Sequence, residues 1–319
     1  MAVYTAVTAA ELAVFLTRYD VGEAQSFKGI AEGVQNSNYL LETTRGRYIL
    51  TLYEHLVDLQ ALPWFLALTT HLADKGLPVP RPIIDRNGQA LQMLNGRPAA
   101  LIEFVSGVSV TEPDAAQAEA CGEALGRLHM AVADFGPERE NNLGQAHWPA
   151  MAKRCGPGVS TIDAALPALI AQGVATTRDW PDTLPRATVH SDLFPDNVLM
   201  LGGRVTGLID FYFACTDLIG FDYAVTHAAW CFSSDGRTYF AERAAGLSRG
   251  YAHTRGLTAD EMAALPLLGV GAALRFTLTR THDWLHTPAD ALVTRKDPMA
   301  FARRMAWYAG ATPAMVLGA

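Results

Sequence analysis

The chain has 319 residues, which at about 150 residues per domain predicts two domains or one body with two lobes. Hydrophobic residues make up 50% and charged residues 18% of the sequence, which excludes a disordered, low-complexity protein. The 25 Lys and Arg against 32 Asp and Glu give a net charge of -7 without a long basic run, so no nucleic-acid partner is expected.

The sequence shows no signal for export or for a membrane span. The longest apolar stretch, residues 265–274, ends at Arg275 after only ten residues, and the N-terminus lacks the cationic start of a signal peptide. We therefore expect a cytoplasmic protein without a membrane partner. The four cysteines have no CxxC spacing, which predicts reduced, buried thiols rather than a zinc or redox site.

The first third of the chain is predicted to be rich in strands. A capping box formed by Thr8 and Glu11 begins a short helix that ends near Tyr19. Strands are predicted over residues 27–32, 38–43, 47–53, 82–85, 89–94 and 97–105, with a helix over residues 58–75. These elements predict a lobe of about five antiparallel strands with one inserted helix.

Helices dominate the prediction for the rest of the chain. A linker at residues 106–107 is followed by a helix over residues 112–134, and a long apolar helix covers residues 265–284. Short strands are predicted over residues 186–189, 197–201 and 204–209. The pattern therefore predicts an α+β protein with two domains, residues 1–105 and residues 106–319.

The segment His-Ser-Asp-Leu-Phe-Pro-Asp-Asn, residues 190–197, lies between two of these short strands, and Asp210 follows the next strand. A match to His-x-Asp-x4-Asn is expected only about 0.01 times by composition. Phosphoryl transfer requires a carboxylate against the attacking hydroxyl, and Mg²⁺ binds through few carboxylate or amide oxygens. The pattern predicts Asp192 at the hydroxyl, with Asn197 and Asp210 as ligands of Mg²⁺.

The sequence resembles the protein-kinase-like small-molecule phosphotransferases, a family that includes aminoglycoside and choline kinases. The resemblance covers nearly the whole chain, and residues 28–38, 48–54 and 208–215 look most like the homoserine kinases of this family. It implies a bilobal protein-kinase-like fold and transfer of the ATP γ-phosphoryl group to the side-chain hydroxyl of L-homoserine, a step in threonine biosynthesis. It also implies that Asp192 is the catalytic carboxylate and that His190 anchors its loop.

Residues around the first two strands are candidates for nucleotide contact. Gly29 and Gly33 flank a turn where backbone N–H groups can come close to phosphate oxygens, although a plain hairpin explains two glycines equally well. Asn36 and Ser37 add polar donors beside this turn. We therefore predict that this segment binds the phosphates of ATP.

The predicted strand over residues 47–53 carries Thr51 where a kinase of this family usually has a phosphate-binding lysine. Lys28 is the candidate that would supply the missing charge. Glu103 and Val105, at the end of the last strand of the first lobe, would offer backbone groups to the adenine.

Two arginines interrupt the apolar helix over residues 265–284, and both are candidates for the carboxylate of the acceptor. Arg275 and Arg280 would present a guanidinium fork to that anion, but a salt bridge to Asp283 is an equally good explanation. Tyr223 and Trp230 are candidates for the wall of the acceptor pocket, although aromatic residues at helical spacing more often belong to a core.

Only eleven residues separate Asp210 from Asp222, which is too short for a peptide-docking activation loop and predicts a small acceptor. Asp222 is expected to brace the 190–197 loop through backbone N–H groups or to cap a helix. Choline, ethanolamine or an aminoglycoside are alternative acceptors. A non-catalytic nucleotide-binding protein is the alternative from another class, which the absent lysine keeps open.

Overall fold

The computed structural model describes residues 4–30, 36–54, 58–287 and 295–319. The chain forms two compact units. The first comprises Met1–Ser106 and Gly207–Tyr212, and the second comprises Gly107–Thr206 and Phe213–Ala319.

The first unit is built on one antiparallel sheet with the strand order β1-β2-β3-β5-β4. Its elements in chain order are α1 (Ala9–Leu16), β1 (Ala24–Gly29), β2 (Asn36–Thr43), β3 (Gly46–Tyr53), α2 (Leu62–Asp74), β4 (Gln92–Leu94) and β5 (Arg97–Glu103). The predicted five strands and inserted helix are therefore confirmed. The strand predicted over residues 82–85 is wrong: there Pro82, which has no N–H to donate, forms only an isolated bridge with Ile102.

The capping box at the start of α1 is confirmed. The Thr8 backbone N–H donates to Glu11 Oε2 at 2.7 Å, and the Glu11 backbone N–H donates to Thr8 Oγ1 at 3.3 Å. The helix ends at Leu16, earlier than predicted. Its buried face packs into one core with the inward side chains of β2 and β3, among them Leu41 and Leu50.

The segment Gly207–Tyr212 is held to the first unit by its backbone and by an aromatic side chain. The Leu208 N–H donates to the Pro78 carbonyl at 2.8 Å, and the Tyr212 hydroxyl donates to the Tyr53 hydroxyl at 3.2 Å. Between these two anchors Asp210 adopts a left-handed backbone with φ of 64°, a conformation that non-glycine residues rarely take. The anchors fix the position of Asp210 within this unit.

The second unit is mainly helical and contains two small antiparallel strand groups. Its elements are β6 (Val108–Ser109), α3 (Ala115–Ala131), α4 (Trp148–Cys155), α5 (Val159–Ile162), α6 (Leu166–Thr176), β7 (Arg186–Val189), β8 (Val198–Leu201), β9 (Arg204–Leu208, which ends in the first unit), β10 (Cys215–Leu218), α7 (Ile219–Trp230), α8 (Ala241–Thr254), α9 (Ala259–His286), α10 (Met299–Ala309) and α11 (Pro313–Val316). Strands β6, β8 and β9 form one sheet, and β7 pairs with β10. The sequence analysis missed β10, since its four residues show no clear alternation.

Helices α3 and α8 pack closely because glycines face the partner backbone. A Cβ atom at Gly122 on α3 would collide with the Leu247 carbonyl, and one at Gly250 on α8 would collide with the Glu119 carbonyl. The absence of side chains at these positions permits the short distance between the two helices.

Helix α9 is the longest element of the described structure. Its 28 residues include a window with a mean hydropathy of 1.5, long and apolar enough to cross a membrane. The window passes by its average hydropathy, since the sequence has no uninterrupted apolar run of 18 residues. However, 67% of that window is buried inside the fold, as in the core helix of a soluble protein.

All four cysteines are buried and free, as predicted. Burial raises the pKa of Cys215 to about 12 and also raises that of Cys155. These side chains therefore remain neutral thiols at physiological pH and pack as small hydrophobic groups.

His227 on α7 is expected to make the stability of the protein depend on pH. It is fully buried with Nδ1 2.5 Å from the Tyr308 hydroxyl, and burial lowers its pKa to about 3. Its ordinary pKa is about 6.5, so below that pH the unfolded chain binds a proton that the native chain does not. The free energy of unfolding should therefore fall as the pH drops from about 6.5 towards 3, by up to about 1.4 kcal/mol per pH unit from this group.

Replacement His227→Gln should remove most of this contribution, measured as the slope of the urea-unfolding free energy against pH. The exposed His253 provides the control, since His253→Gln should leave the slope as it is. A slope that is the same in His227→Gln and in the wild type would contradict the prediction.

Candidate active site

The 190–197 loop follows β7 and contains an unusual backbone conformation. Ser191 has a φ of 65°, in the left-handed region that costs a non-glycine residue about 1 to 3 kcal/mol. Such a conformation persists only where the surrounding structure holds it. The contacts of this loop therefore show how its position is maintained.

Asp222 holds the start of the loop through two consecutive backbone groups. The His190 N–H donates to Asp222 Oδ2 at 2.9 Å, and the Ser191 N–H donates to Oδ1 at 2.6 Å. This is the arrangement that the bracing hypothesis requires. Asp222 does not cap its helix, because α7 begins after Leu218 and Asp222 lies inside it.

Asp222 is itself part of a buried polar network that reaches three helices. His129 Nε2 on α3 lies 3.0 Å from Asp222 Oδ2, and His129 Nδ1 lies 2.8 Å from the Tyr251 hydroxyl on α8. Arg255 donates to that hydroxyl at 2.9 Å and pairs with Glu261 on α9, also at 2.9 Å. Burial alone would raise the pKa of Asp222, but the hydrogen bond and the charge of His129 bring it below its usual value. The brace is therefore an ionised carboxylate.

Arg275 on α9 holds the other side of Ser191. Its guanidinium Nη1 donates to the Ser191 carbonyl and to Ser191 Oγ, the latter at 2.7 Å, and the guanidinium stacks on Phe276. Arg275 is only 2% exposed and forms no ion pair with Asp283. Neither sequence-based explanation for Arg275 includes this contact, in which its Nη1 is bonded to the loop.

We expect Arg275→Met to lower the free energy of unfolding by about 1 to 3 kcal/mol, because the buried Ser191 carbonyl loses its charged donor. Urea denaturation measures this change. Arg249→Met is the matched control, since Arg249 forms an exposed ion pair with Glu119 and should contribute less than about 1 kcal/mol. Equal losses in the two variants would contradict this role of Arg275.

Asp192 and Asn197 are brought together by the loop. The Asn197 amide Nδ2 donates to the Asp192 carbonyl at 2.8 Å and to Asp192 Oδ2 at 3.3 Å. The Asp192 N–H donates to Nδ1 of the fully buried His190 at 3.3 Å, a contact that ties the ring to the loop. Asp192 is half-buried, so part of its surface is open to solvent.

The predicted metal ligands have the right chemistry for a hard cation. Since Asn197 uses its amide nitrogen within the loop, its Oδ1 is the atom suited to a metal, and Asp210 supplies a carboxylate from the segment described above. Within the described ranges no cluster of three or more His, Cys, Asp or Glu could hold a metal ion instead. Asn197 Oδ1 and the Asp210 carboxylate are each an oxygen donor of the kind that Mg²⁺ prefers.

Tyr223 and Trp230 belong to the core of the second unit. Both are fully buried: the Tyr223 hydroxyl bonds Ser248 Oγ at 2.8 Å, and Trp230 Nε1 donates to the Leu193 carbonyl at 2.9 Å. Their predicted place in an acceptor pocket is therefore replaced by a place in the interior, which a small acceptor does not reach. Trp230 adds one more contact that fixes the loop.

Asn36 and Ser37 lie inside the first unit rather than at a phosphate-binding turn. Ser37 is fully buried, donates to Glu54 Oε1 at 2.8 Å and accepts from the Tyr4 N–H at 2.8 Å. Asn36 Oδ1 accepts from the Glu54 N–H at 3.4 Å, and Glu54 pairs with Arg97 at 3.0 Å. These side chains serve an interior polar network at the start of β2, so their predicted role as donors to ATP is not supported by their contacts.

The other nucleotide candidates occupy more accessible places. Lys28 is exposed on β1, Gly29 ends that strand opposite Tyr39, and Gly33 lies outside the described residues. Glu103 is exposed and its N–H already donates to the Arg81 carbonyl at 2.9 Å, whereas Val105 follows β5 and is half-buried. In place of the usual lysine, Thr51 is buried and donates to Asn38 Oδ1 at 2.8 Å.

Sequence reasoning missed His129, Tyr251 and the role of Ser191. One signal was available: His129 stands one turn after Leu125 on the core-facing row of α3, where an ionisable residue needs a buried partner. The identity of that partner, 93 residues away, could be found only in the folded chain.

Comparisons with known proteins find similar sequences over the whole chain. The family model described as "Phosphotransferase enzyme family" matches residues 26–257. A homoserine kinase of Gluconacetobacter diazotrophicus is 49% identical over 314 residues, covering 98% of both chains, and one of Granulibacter bethesdensis is 49% identical over 319 residues, covering 100% of both.

Solved structures share the fold at low identity. An amicoumacin kinase in complex with AMP-PNP and Ca²⁺ has a TM-score of 0.68 and 16% identity, with 94% of this chain and 96% of that chain covered. A microcompartment-associated aminopropanol kinase has a TM-score of 0.64 and 20% identity, with 94% of each chain covered. The predicted α+β kinase-like fold is thereby confirmed.

Proposed function

The chain belongs to the phosphotransferase enzyme family, and from that premise we propose that it transfers the γ-phosphoryl group of ATP to the side-chain hydroxyl of L-homoserine. The product is O-phospho-L-homoserine, which serves threonine biosynthesis in the cytoplasm. The full-length similarity to relatives named homoserine kinase supports this acceptor.

The position of Asp192 is the observation that carries the proposal. Its loop is fixed by a buried carboxylate, a buried guanidinium and an indole N–H, from Asp222, Arg275 and Trp230. Phosphoryl transfer depends on positioning and on charge stabilisation more than on covalent chemistry. A carboxylate held this firmly is suited to orient a hydroxyl and to take its proton.

In the proposed reaction the acceptor oxygen forms a bond to the γ-phosphorus while the bond from that phosphorus to the β-phosphate oxygen breaks. Asp192 accepts the hydroxyl proton, and ADP leaves with the electron pair of the broken bond. Asn197, by bonding Asp192 Oδ2, keeps the carboxylate in the orientation in which it meets the hydroxyl.

We assign Asn197 Oδ1 and the Asp210 carboxylate to Mg²⁺, which when bound offsets the charge of the β- and γ-phosphates. Lys28, Gly29 and Val105 remain proposed contacts of the nucleotide. The Lys28 ammonium group would act on the phosphates, and Val105 would offer its backbone to the adenine. Replacement Lys28→Ala with an unchanged KM for ATP would argue against that lysine.

A coupled assay of ADP release tests the acceptor directly. L-homoserine, choline and an aminoglycoside are supplied separately, each with and without Mg²⁺. We expect Mg²⁺-dependent release with L-homoserine, at a kcat/KM roughly 100-fold or more above the other acceptors. Faster turnover of choline or of the aminoglycoside would contradict the acceptor, and no release with any of them would contradict catalysis.

A further inference from the structure

Two arginines of the second unit stack on one aromatic ring. The Cζ atom of Arg280 on α9 lies 4.5 Å from the centroid of the Phe301 ring, and that of Arg304 on α10 lies 4.1 Å from the same centroid. Phe301 is fully buried, Arg304 is 4% exposed and Arg280 is half-buried. We call these two side chains the arginine pair.

The charge of the arginine pair is not balanced by hydrogen-bonded carboxylates. Arg280 donates to the Asp297 carbonyl at 3.3 Å, and Arg304 donates to the carbonyls of Ser233 at 2.9 Å and Ser234 at 3.4 Å. Within the ranges that the structure describes, neither guanidinium forms an ion pair, and the buried Arg304 Nε has no hydrogen-bond partner. Neighbouring cations with a buried, unpaired donor are typical of a binding site for an anion.

Both members of the pair carry a charge at neutral pH. Burial lowers the pKa of Arg280 to about 10, and burial together with the charge of Arg280 lowers the pKa of Arg304 to about 10. The nearby acids Asp297, Asp192 and Asp196 oppose the shift in Arg280 through their charges. An anion that binds here would offset both the repulsion and the lost hydration.

The arginine pair is connected to the 190–197 loop by aromatic rings. The Phe301 ring centroid lies 4.8 Å from that of Phe276 and 5.9 Å from that of Phe194, and Phe194 and Phe276 are 4.9 Å apart. Phe194 stands two residues after Asp192. The arginine pair and Phe194 thus belong to one group of packed side chains, and the Phe194 N–H donates to the Asp192 carbonyl at 2.8 Å.

Resting on the proposed function, we propose that Arg280 binds the α-carboxylate of the amino-acid acceptor, with Arg304 as the second cation behind it. A guanidinium fork matches a carboxylate in shape and charge, and Arg280 is the more accessible of the two. Choline and simple amino alcohols carry no carboxylate, so this contact would select an amino acid. Arg275 is assigned to the loop instead, because its Nη1 bonds Ser191 and its side chain is only 2% exposed.

Isothermal titration calorimetry on the full chain, with L-homoserine and separately with AMP-PNP and Mg²⁺, tests the proposal. Loss of a charged hydrogen bond predicts about 10- to 100-fold weaker binding of L-homoserine by Arg280→Gln, with AMP-PNP binding unchanged. Arg280→Lys should recover part of the affinity because it keeps the charge and loses the fork. Arg304→Gln should weaken the binding of L-homoserine by a smaller factor than Arg280→Gln does. Its Tm is measured as well, because Arg304 is buried.

Two controls separate recognition of the carboxylate from a general defect. Arg243→Gln removes an arginine of α8 that stacks on Phe240, and it should leave the affinity for L-homoserine unchanged. 3-Aminopropan-1-ol, which is homoserine without its carboxylate, should be turned over equally by the wild type and by Arg280→Gln, at whatever low rate the wild type shows.

The contrary outcomes are distinct. If Arg280→Gln binds L-homoserine as tightly as the wild type, this inference is wrong and the proposed function stands. If it loses affinity for AMP-PNP instead, the pair binds nucleotide phosphate and the inference is again wrong. If the wild type binds no L-homoserine, with or without AMP-PNP, the proposed function fails and the inference fails with it.

Discussion

Replacement of Asp192 by asparagine is expected to lower kcat by about 10²- to 10⁴-fold, the range found for loss of a general base. Asparagine has the same size and can still accept the hydrogen bond that Asn197 Nδ2 donates, so the loop should keep its conformation. It cannot take the proton of the acceptor hydroxyl. The steady-state rate of ADP release with L-homoserine measures the effect, and titration with AMP-PNP should show unchanged nucleotide affinity.

Asp196 provides a matched control for this variant. It lies on the same loop and is exposed, so Asp196→Asn should keep nearly all of the turnover. Near-wild-type turnover by Asp192→Asn would show that Asp192 is not the catalytic carboxylate, whatever its contacts. An equal loss in both variants would point to the overall charge of the loop instead.

The 190–197 loop could be predicted because its chemistry is contiguous in sequence. Asp192 and Asn197 are five residues apart. Only eleven residues separate Asp210 from Asp222, and this short connection favours a bracing role for Asp222. In the first unit the alternation of β2 and β3 and the Thr8 capping box are local patterns, and they predicted the sheet and the first helix for the same reason.

The roles that sequence could not settle depend on partners far along the chain. Arg275 is a charged residue in an apolar helix, which signals a buried partner, but Ser191 lies 84 residues away and offers a backbone carbonyl that no side-chain pattern reveals. The sequence predicts a phosphate contact for Ser37 because this residue is polar and near glycines. Its burial depends on two distant contacts. One is with Glu54, directly after β3, and the other is with the Tyr4 N–H, before α1.

Replacement of Asp222 by asparagine is expected to lower both stability and turnover. The amide has one acceptor oxygen where the carboxylate has two, so either the His190 or the Ser191 N–H faces an NH₂ group, and the buried charge opposite His129 is lost. Loss of a hydrogen bond to a buried charged group costs about 1.5 to 3 kcal/mol in unfolding free energy. Release of the left-handed Ser191 should also lower kcat by about tenfold or more, with the KM for ATP unchanged.

Asp217 on β10 distinguishes positioning from stability alone. It is also a buried aspartate of the second unit, and its carboxylate bonds the Leu218 N–H and the Asn141 amide rather than the 190–197 loop. Asp217→Asn should therefore lose stability while keeping its kcat per folded molecule. These contacts act as one brace for Asp192 if two conditions are met. The loss of kcat must be confined to Asp222→Asn, and adding His129→Gln to that variant must not enlarge the loss. Equal kcat values in the two aspartate variants would mean that the loop keeps its conformation without Asp222, and the strain at Ser191 would then be balanced by Arg275.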